Sequence, residues 1–468
     1  MSGNGSAPNG KAPASSADYG KTASFLAVGV GLTGVITYAY FLIASHTLSK
    51  NDYGQITVLW SAVFITISTL YRPIEQLLSR HISERVVKGQ SLSEPMRVAS
   101  TIQFGLSLLF TVLALALRGP IQDTLLEGNE TLYWVFFTSV LFYAASYFAR
   151  GFLAGSQRFG LFVALILSES CFRTIFAVLV VVGILSGQGW VAVGITAAPA
   201  LSLLVVPFAF ARKAQKDKAT APPPEVAAAA AAEETFSFRD GGGFAAAVLL
   251  IMFSEQAFLN AGPLIMRGLQ GAAEAGFIFN VLMIARAPLQ LFQSVSTSIL
   301  PHLTSLHTSD DPDSDREFGH TVKMVLLGIV AFTGVALVFM ALVGPKAMQI
   351  AFGDKFTYDR LGLLLVTVGM GLYLASVTLN QACVAQGQVR RAAVRWITCA
   401  VVFIAWNFVP LVSNEQRRVE IGFLLAAGVL FALLYWVYRR PHAHKGDTPQ
   451  PGSPEELEAR LAIIDENV

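Results

Sequence analysis

The chain has 468 residues, of which 54% are apolar and only 14% charged, and its formal net charge is +2. Soluble domains carry about 25% charged residues, so this composition excludes a soluble enzyme and a disordered scaffold. The balanced charge excludes a nucleic-acid-binding protein, which would need a basic surface. A mean hydropathy of +0.56 predicts a multi-pass membrane protein. The three cysteines lie in apolar segments without metal-ligand spacing, so neither a disulfide framework nor a metal site is expected.

Twelve segments reach the length of about 20 mostly apolar residues that a transmembrane helix requires. The first follows residues 1–21, which are rich in Ser, Gly, Ala and Pro and are predicted to form a disordered tail. This first segment is too long for the apolar region of a signal peptide, so we expect a retained helix. The predicted spans are 22–45, 54–79, 98–117, 131–149, 161–185, 189–211, 241–266, 275–300, 321–343, 361–386, 395–414 and 420–438.

A long hydrophilic connection, 212–240, divides the spans into two sets of six. It is charged and rich in Pro and Ala, a composition typical of linkers. The sequence therefore predicts an N-lobe over 22–211, a C-lobe over 241–438 and a C-terminal tail over 439–468.

Short sequence matches indicate that the two sets of spans are repeats of one another. Asp-Tyr-Gly at 52–54 opens span two, and Glu-Ala-Gly at 274–276 opens span eight. Gly-Pro pairs follow span three at 119–120 and span nine at 344–345. Because each half has an even number of spans, the pseudo-two-fold axis of the repeat lies along the membrane normal. We expect an all-α membrane protein with twelve transmembrane helices in two six-helix lobes around a central cavity, working by alternating access.

The distribution of lysine and arginine predicts the orientation. With the N-terminus inside, the inner segments hold 22 of the 33 lysines and arginines, the outer loops hold 8 and the spans hold 3. The positive-inside rule then places both termini and the linker in the cytoplasm, in a protein of the cell (inner) membrane.

Charged residues within the spans mark the candidate site, because a charge at the centre of the bilayer costs roughly 2.5–3.5 kcal/mol on insertion scales. In span five, Glu169 and Arg173 lie four residues apart and so on one face of a helix. One interpretation is a pair that neutralises itself for insertion. The other is a cavity-lining pair that opens when an anionic head group competes for Arg173.

Spans seven and eight carry the other charges predicted near the middle of the membrane. In span eight, Arg286, Gln290 and Gln293 fall at i, i+4 and i+7 and form one polar stripe. Arginine offers a planar fork suited to phosphate, so Arg286 is predicted to face the substrate or, alternatively, to pair with Glu255. In span seven, Glu255 and Asn260 form a candidate site for a coupling proton or Na⁺, since burial raises the pKa of a carboxyl group. Glu255 can equally be the counter-ion of Arg286.

Span two ends in a polar stripe beside Pro73, in which Arg72 is the deepest charge. This stripe is either an interface that snorkels to the membrane surface or a cytoplasmic vestibule that collects an acidic substrate. Its members are Arg72, Glu75, Gln76, Ser79 and Arg80.

Two motifs are set aside as coincidental. The Gly-x-Gly-x-x-Gly pattern at 29–34 lies inside an apolar helix, where close helix packing explains it. The Asp-x-Asp-x-Asp pattern at 311–315 belongs to a hydrophilic loop and predicts no ion site. The sequence has no P-loop, so ATP does not drive the chain directly and no cofactor is expected.

Three segments carry a family resemblance. They are ASHTLSKNDYG at 44–54, AGFIFNVLMIARAPLQLFQSVSTSILP at 275–301 and GDKF at 353–356. Together with the span count they resemble the polysaccharide-transporter branch, the Wzx-like oligosaccharide flippases, of the multidrug/oligosaccharidyl-lipid/polysaccharide (MOP) exporter superfamily.

This resemblance implies a MATE-like fold and a flippase that moves a polyprenyl-diphosphate-linked oligosaccharide from the inner to the outer leaflet for surface polysaccharide biosynthesis. The implied partners are this lipid-linked substrate, membrane lipids, and polysaccharide polymerases or glycosyltransferases. Lipid II flippases of the superfamily have fourteen helices and arginines in helix one, whereas span one here has no charge. The resemblance therefore favours a surface-polysaccharide or teichoic-type unit over a peptidoglycan precursor.

Three alternatives stay open at the level of sequence. An ion-coupled MATE-like drug or metabolite antiporter would use Glu255 or Glu169 as its coupling carboxylate. A membrane-embedded glycosyltransferase or polymerase would need a longer outer loop than 344–360, so the chain is expected not to be an enzyme. A non-transporting scaffold would tolerate neutralisation of every charge within the spans.

Overall fold

The computed structural model describes residues 16–207, 238–286 and 314–439, and within these ranges the regular structure is entirely helical. A π-helical turn, Pro120–Leu125, follows α4, and a 3-10 turn, Asp354–Phe356, follows α10. The helices are α1 (Ser16–Thr47), α2 (Lys50–Leu70), α3 (Arg72–Lys88), α4 (Ser93–Ala116), α5 (Glu130–Gly155), α6 (Phe159–Val181), α7 (Gln188–Ser202), α8 (Phe238–Leu269), α9 (272–286 within the described part), α10 (Ser314–Phe352), α11 (Arg360–Ala385), α12 (Val389–Trp406) and α13 (Glu415–Tyr438).

Ten candidate membrane spans, each long and apolar enough to cross a bilayer, lie within the described ranges, with α2 and α3 counted as one span. Two further helices are not among these ten: α9, which reaches the edge of a described range, and α12, which carries three arginines. The all-α membrane fold is thereby confirmed, while the exact count of twelve spans stays a prediction.

Several predicted spans differ from the observed helices: the helix of span nine runs on through Pro345 to Phe352, and spans two and eleven differ for identifiable reasons. Span two divides at Tyr71, because Pro73 starts a new helix at its N-terminal positions and cannot donate a backbone hydrogen bond. The prediction of span eleven at 395–414 is wrong at both ends, since α12 covers Val389–Trp406. The first turn of α12 carries Arg390 and Arg391, so a prediction from apolar length leaves it out. At the other end, Pro410 cannot donate the backbone hydrogen bond that would continue the helix. At the N-terminus, α1 begins inside the predicted tail.

The described helices pack as two lobes, α1–α7 and α8–α13, with α8 lying against α2 at the lobe interface. Within the N-lobe, α3 packs closely on α5. A Cβ atom built on Gly151 would lie 2.8 Å from the Glu75 carbonyl oxygen. One built on Gly155 would lie 2.6 Å from the Ser79 carbonyl oxygen. Small residues let two helix backbones approach in this way within a membrane. The two glycines therefore fix the position of the polar stripe on α3.

Candidate functional site

A cavity of about 580 Å³ opens beside α3. The polar stripe predicted at the end of span two supplies most of its lining, and Ala154 of α5 and Phe162 of α6 supply part of its apolar wall. Both signs of charge reach the cavity, so it can accept a polar, ionic group. The lining residues from α3 are Arg72, Glu75, Gln76, Ser79, Arg80, Ser83 and Glu84.

Deep in the N-lobe, the Glu169 carboxylate is held by two arginines. It accepts hydrogen bonds from Arg150 at 2.5 Å, from Arg173 at 3.3 Å and from Ser146 at 3.2 Å. Glu169 is 4% exposed and Arg173 2% exposed. The predicted Glu169–Arg173 pair therefore forms, but it is sealed inside the lobe and does not line the open cavity in this structure.

Aromatic side chains enclose the Arg173 guanidinium. Its central carbon lies 4.4 Å above the ring of Trp60, within cation–π range. It also donates hydrogen bonds to the Tyr143 hydroxyl at 3.1 Å and to the Thr37 hydroxyl at 3.4 Å. The Arg173 side chain thus joins α1, α2, α5 and α6.

The two lobes communicate electrostatically through Arg72 of α3. The carboxylates that act on it are Glu255 on α8 of the C-lobe and Glu75 on its own helix. Among the described residues, Glu255 has Arg72 as its charged partner, not Arg286. Of the two alternatives for Arg286, pairing with Glu255 is therefore not observed in this structure, where α3 brings Arg72 from the opposite lobe toward that carboxylate.

Arg286 lies among tyrosines. Its electrostatic neighbours in the described part of the chain are Tyr373 of α11 and Tyr38 of α1, and its Nε atom is buried without a hydrogen-bond partner there. Tyr373 is 1% exposed and lies within electrostatic range of Glu255, Arg286 and Arg72. Tyr373 thus lies close to charged residues of both lobes.

The remaining predicted site residues are less informative. Asn260 is 2% exposed and donates to the carbonyl and side-chain oxygens of Gln256, at 3.3 and 3.0 Å, while its own Oδ1 has no hydrogen-bond partner among the described residues. This arrangement neither forms nor excludes the predicted ion site. Gln290 and Gln293 lie outside the described residues.

Sequence reasoning missed Arg150 and the tyrosines. Arg150 directly follows the apolar core of span four, so the sequence predicts that it belongs to the inner loop. In the structure, α5 extends to Gly155, and Arg150 therefore lies within the helix and reaches Glu169. Tyr147 lies with its ring 4.7 Å from the Arg150 guanidinium. A tyrosine within an apolar span gives little sequence signal, since it packs equally well in an ordinary core.

At the other end of the bundle, which we call the closed end, loops of the two lobes are in contact. Arg267 at the end of α8 donates to the carbonyl oxygens of Thr124 and Leu125, and its guanidinium lies 3.5 Å from the Glu127 carboxylate. Asn51 and Gln55 of α2 donate to the same carboxylate. Burial acts to raise the pKa of Glu127, but these two hydrogen bonds and the charge of Arg267 outweigh it, so the pKa lies below its ordinary value.

The lowered pKa of Glu127 predicts how its contribution to stability depends on pH. A carboxylate with a depressed pKa stabilises the folded state above its ordinary pKa of about 4.3, and this contribution is lost as the pH falls through the lowered value. We expect Glu127→Gln to lower the melting temperature by about 1–3 °C at pH 7, the size of a partly exposed ion pair. In detergent, the difference from wild type should shrink between about pH 5 and pH 3. A difference that widens on acidification would contradict this assignment.

The arrangement of two helical lobes beside a polar cavity is the fold of solved MATE transporters of the MOP superfamily. The inward-facing conformation of a multidrug resistance MATE family transporter matches with a TM-score of 0.60 and 13% identity, over 88% of this chain and 97% of that chain. The outward-facing conformation of a MATE family transporter matches with a TM-score of 0.60 and 14% identity, over 89% and 94%.

A MOP superfamily transporter from Pyrococcus furiosus is also similar, with a TM-score of 0.56 and 13% identity over 89% of this chain and 94% of that chain. For that protein, the reverse polarity of its binding pocket suggests a different function. The chain itself belongs to the polysaccharide biosynthesis protein family, whose model matches residues 19–307. No curated protein sequence matches the chain significantly.

Proposed function

We propose that this transporter is a flippase that moves a polyprenyl-diphosphate-linked oligosaccharide from the inner to the outer leaflet of the cell membrane. The observation that carries the proposal is Arg286, whose buried Nε donor has no hydrogen-bond partner among the described residues. A buried donor without an acceptor costs free energy. A diphosphate oxygen would supply the missing acceptor, and a planar guanidinium suits it.

The balance of charge in the interior network supports an anionic substrate. Four arginines of the electrostatic network face three glutamates, which leaves one excess positive charge before any substrate binds. A lipid-linked diphosphate would offset that charge, whereas a cationic drug would add to it. The network consists of Arg72, Arg150, Arg173 and Arg286 with Glu75, Glu169 and Glu255.

The position of the cavity supports inward-facing access. Arg80 lines the cavity, and the positive-inside rule assigns the arginine-rich loops at that end to the cytoplasm. A volume of about 580 Å³ lies within the range of roughly 300–1,000 Å³ that small-molecule sites occupy. In this proposal, the diphosphate first meets Arg80 and Arg72 and then reaches Arg286, while rocking of the lobes exposes it to the opposite leaflet.

The test is translocation in liposomes that carry a labelled polyprenyl-diphosphate oligosaccharide on one leaflet. We expect wild type to expose the label on the other leaflet, and Arg286→Ala to slow this roughly tenfold to hundredfold, the loss that removing a charge-assisted hydrogen bond of about 1.5–3 kcal/mol produces. Arg395→Ala is the matched control, because Arg395 is a C-lobe arginine whose guanidinium lies 5.9 Å from the Trp436 ring. Equal rates for the two variants would remove Arg286 from the site.

An ion-coupled antiporter of drugs or metabolites is the second candidate, favoured by the half-buried Glu255 at the lobe interface. It predicts efflux of a small cationic dye that depends on a proton or Na⁺ gradient and is lost in Glu255→Gln. Dye efflux without movement of the lipid-linked oligosaccharide would replace the flippase proposal. Coupling of the chain to polysaccharide polymerases or glycosyltransferases is part of the flippase proposal only.

A further inference from the structure

At the closed end of the bundle, the two lobes touch through a pair of glycines. A Cβ atom built on Gly54 of α2 would lie 1.8 Å from the carbonyl oxygen of Ala272, which begins α9. A Cβ atom on Gly276 would lie 3.2 Å from a ring carbon of Tyr53 and 3.3 Å from the Cα atom of Gly54. No side chain fits at Gly54 in this arrangement, so the backbones of α2 and α9 are in direct contact.

The two glycines occupy equivalent positions in the two halves of the chain. Gly54 ends the Asp-Tyr-Gly segment that opens span two, and Gly276 ends the Glu-Ala-Gly segment that opens span eight. When equivalent residues of two related units contact each other, the contact lies on the two-fold axis that relates them. The Gly54–Gly276 contact therefore lies on the pseudo-two-fold axis of the transporter.

Loop contacts flank the glycine pair on both sides and follow the same symmetry. The C-terminal end of α8 reaches the turn after α4, where Arg267 donates to the Thr124 and Leu125 carbonyl oxygens at 2.8 and 3.1 Å. The turn after α10 reaches the connection after α1, where Lys355 donates to the Leu48 carbonyl oxygen at 3.1 Å. In each case, the end of the first helix of one half contacts the turn after the third span of the other half, across the lobe interface.

Next to the glycines, buried side chains extend the contact between the two lobes. The Tyr53 hydroxyl donates a hydrogen bond to the side-chain oxygen of Asn280, and both residues have no exposed surface. The ring of Tyr53 also packs edge-on against Phe356, with ring centroids 5.1 Å apart. These contacts join opposite lobes, so a movement that separates the lobes at this end must break them together.

We propose that Gly54 and Gly276 form a symmetric gate that closes access to the outer leaflet, with Arg267 and Lys355 as its two lateral latches. The gate is formed in the inward-facing state and opens when α2 and α9 separate. This inference deepens the proposed transport function by naming the residues that control alternating access. It depends on movement between the lobes and not on the identity of the substrate.

The gate is tested through the accessibility of the cavity at the opposite end. Ser79 lines that cavity, so a Ser79→Cys reporter should react with a membrane-impermeant maleimide while the protein is inward-facing. Labelling is measured in detergent, and the protein without the reporter gives the background from the native cysteines. Because an alanine at Gly54 cannot be accommodated when the gate is closed, we expect Gly54→Ala to lower the labelling rate by about tenfold or more.

A graded set of variants provides the controls. Gly276→Ala should have a smaller effect than Gly54→Ala, because its Cβ contacts of 3.2–3.3 Å are tight but not impossible. Gly105→Ala should leave labelling unchanged, since no atom lies within 4 Å of a Cβ at that position in α4. Equal labelling in Gly54→Ala and Gly105→Ala would overturn the proposal.

The latches keep the proposal testable if Gly54→Ala does not fold, as judged by size-exclusion chromatography. Arg267→Ala and Lys355→Ala remove interlobe hydrogen bonds without adding volume, and each should lower labelling about threefold. Wild-type labelling in both would also overturn the gate. Because labelling requires no substrate, the gate proposal and the flippase proposal can fail independently. The gate proposal holds if the variants change labelling even when no lipid-linked oligosaccharide is moved. The flippase proposal holds if the oligosaccharide is moved even when the gate variants have no effect.

Discussion

Replacing Glu169 with alanine is expected to destabilise the folded protein by about 3–5 kcal/mol, the largest effect of any single substitution considered. The carboxylate is 4% exposed and holds Arg150 and Arg173 on either side. Without it, the buried Arg173 guanidinium would lose its carboxylate partner, and only Glu75 would remain near Arg150. Removing one partner of a buried ion pair is costly for this reason, even where the intact pair adds little net stability.

The measurement is thermal unfolding of the purified protein in detergent. Glu130→Ala is the matched control, because Glu130 pairs with Arg118 at 2.9 Å but its side chain is 63% exposed. An exposed pair contributes about 0–1 kcal/mol, so this variant should melt close to wild type. If Glu169→Ala and Glu130→Ala melt together, the buried cluster does not stabilise the lobe.

Reversing the charge of Arg72 is expected to reduce translocation of the lipid-linked oligosaccharide about 100-fold. In Arg72→Glu, a carboxylate would replace the cation that now lies near Glu255 and Glu75, and like charges in a site of low dielectric repel strongly. The same substitution removes a cation from the access route of the diphosphate. The translocation assay with Arg286→Ala described above measures the effect.

A charge swap separates the two roles of Arg72. Arg72→Glu combined with Glu255→Arg restores opposite charges across the lobe interface, so the melting temperature should recover. Translocation should stay at least about tenfold below wild type, because the cation no longer lies on the cavity-lining α3. Full recovery of translocation would show that Arg72 acts only as the partner of Glu255.

Much of this architecture follows from hydrophobic length and helical spacing. The stripe from Arg72 to Arg80 was predicted because its polar residues recur at helical intervals, and five of its members line one cavity. The Glu169–Arg173 pair was predicted from its i, i+4 spacing and forms at 3.3 Å. Local periodicity determines which residues share a face of one helix, so predictions of this kind can be made from sequence.

Contacts between helices could not be predicted in the same way. Sequence spacing placed Glu255 and Arg286 at a similar depth, but the partner of Glu255 comes from the other lobe, because helix packing and not depth decides which residues face each other. For Arg150, the sequence predicts a loop position, because a charge at the end of an apolar segment can mark either the end of a span or a polar site within a longer helix. The repeat identified Gly54 and Gly276 as equivalent, yet only the packing of α2 on α9 showed that they touch.

The buried cluster around Glu169 has a mechanical consequence. Through Arg173 it ties α1, α2 and α6 to α5, with bonds that all lie within one lobe. Bending any of these helices away from the others would separate a buried ion from its partners. This costs more free energy than separating the loops at the lobe interface. We therefore expect the N-lobe to rotate as a rigid body, with the conformational change confined to the interface between the lobes.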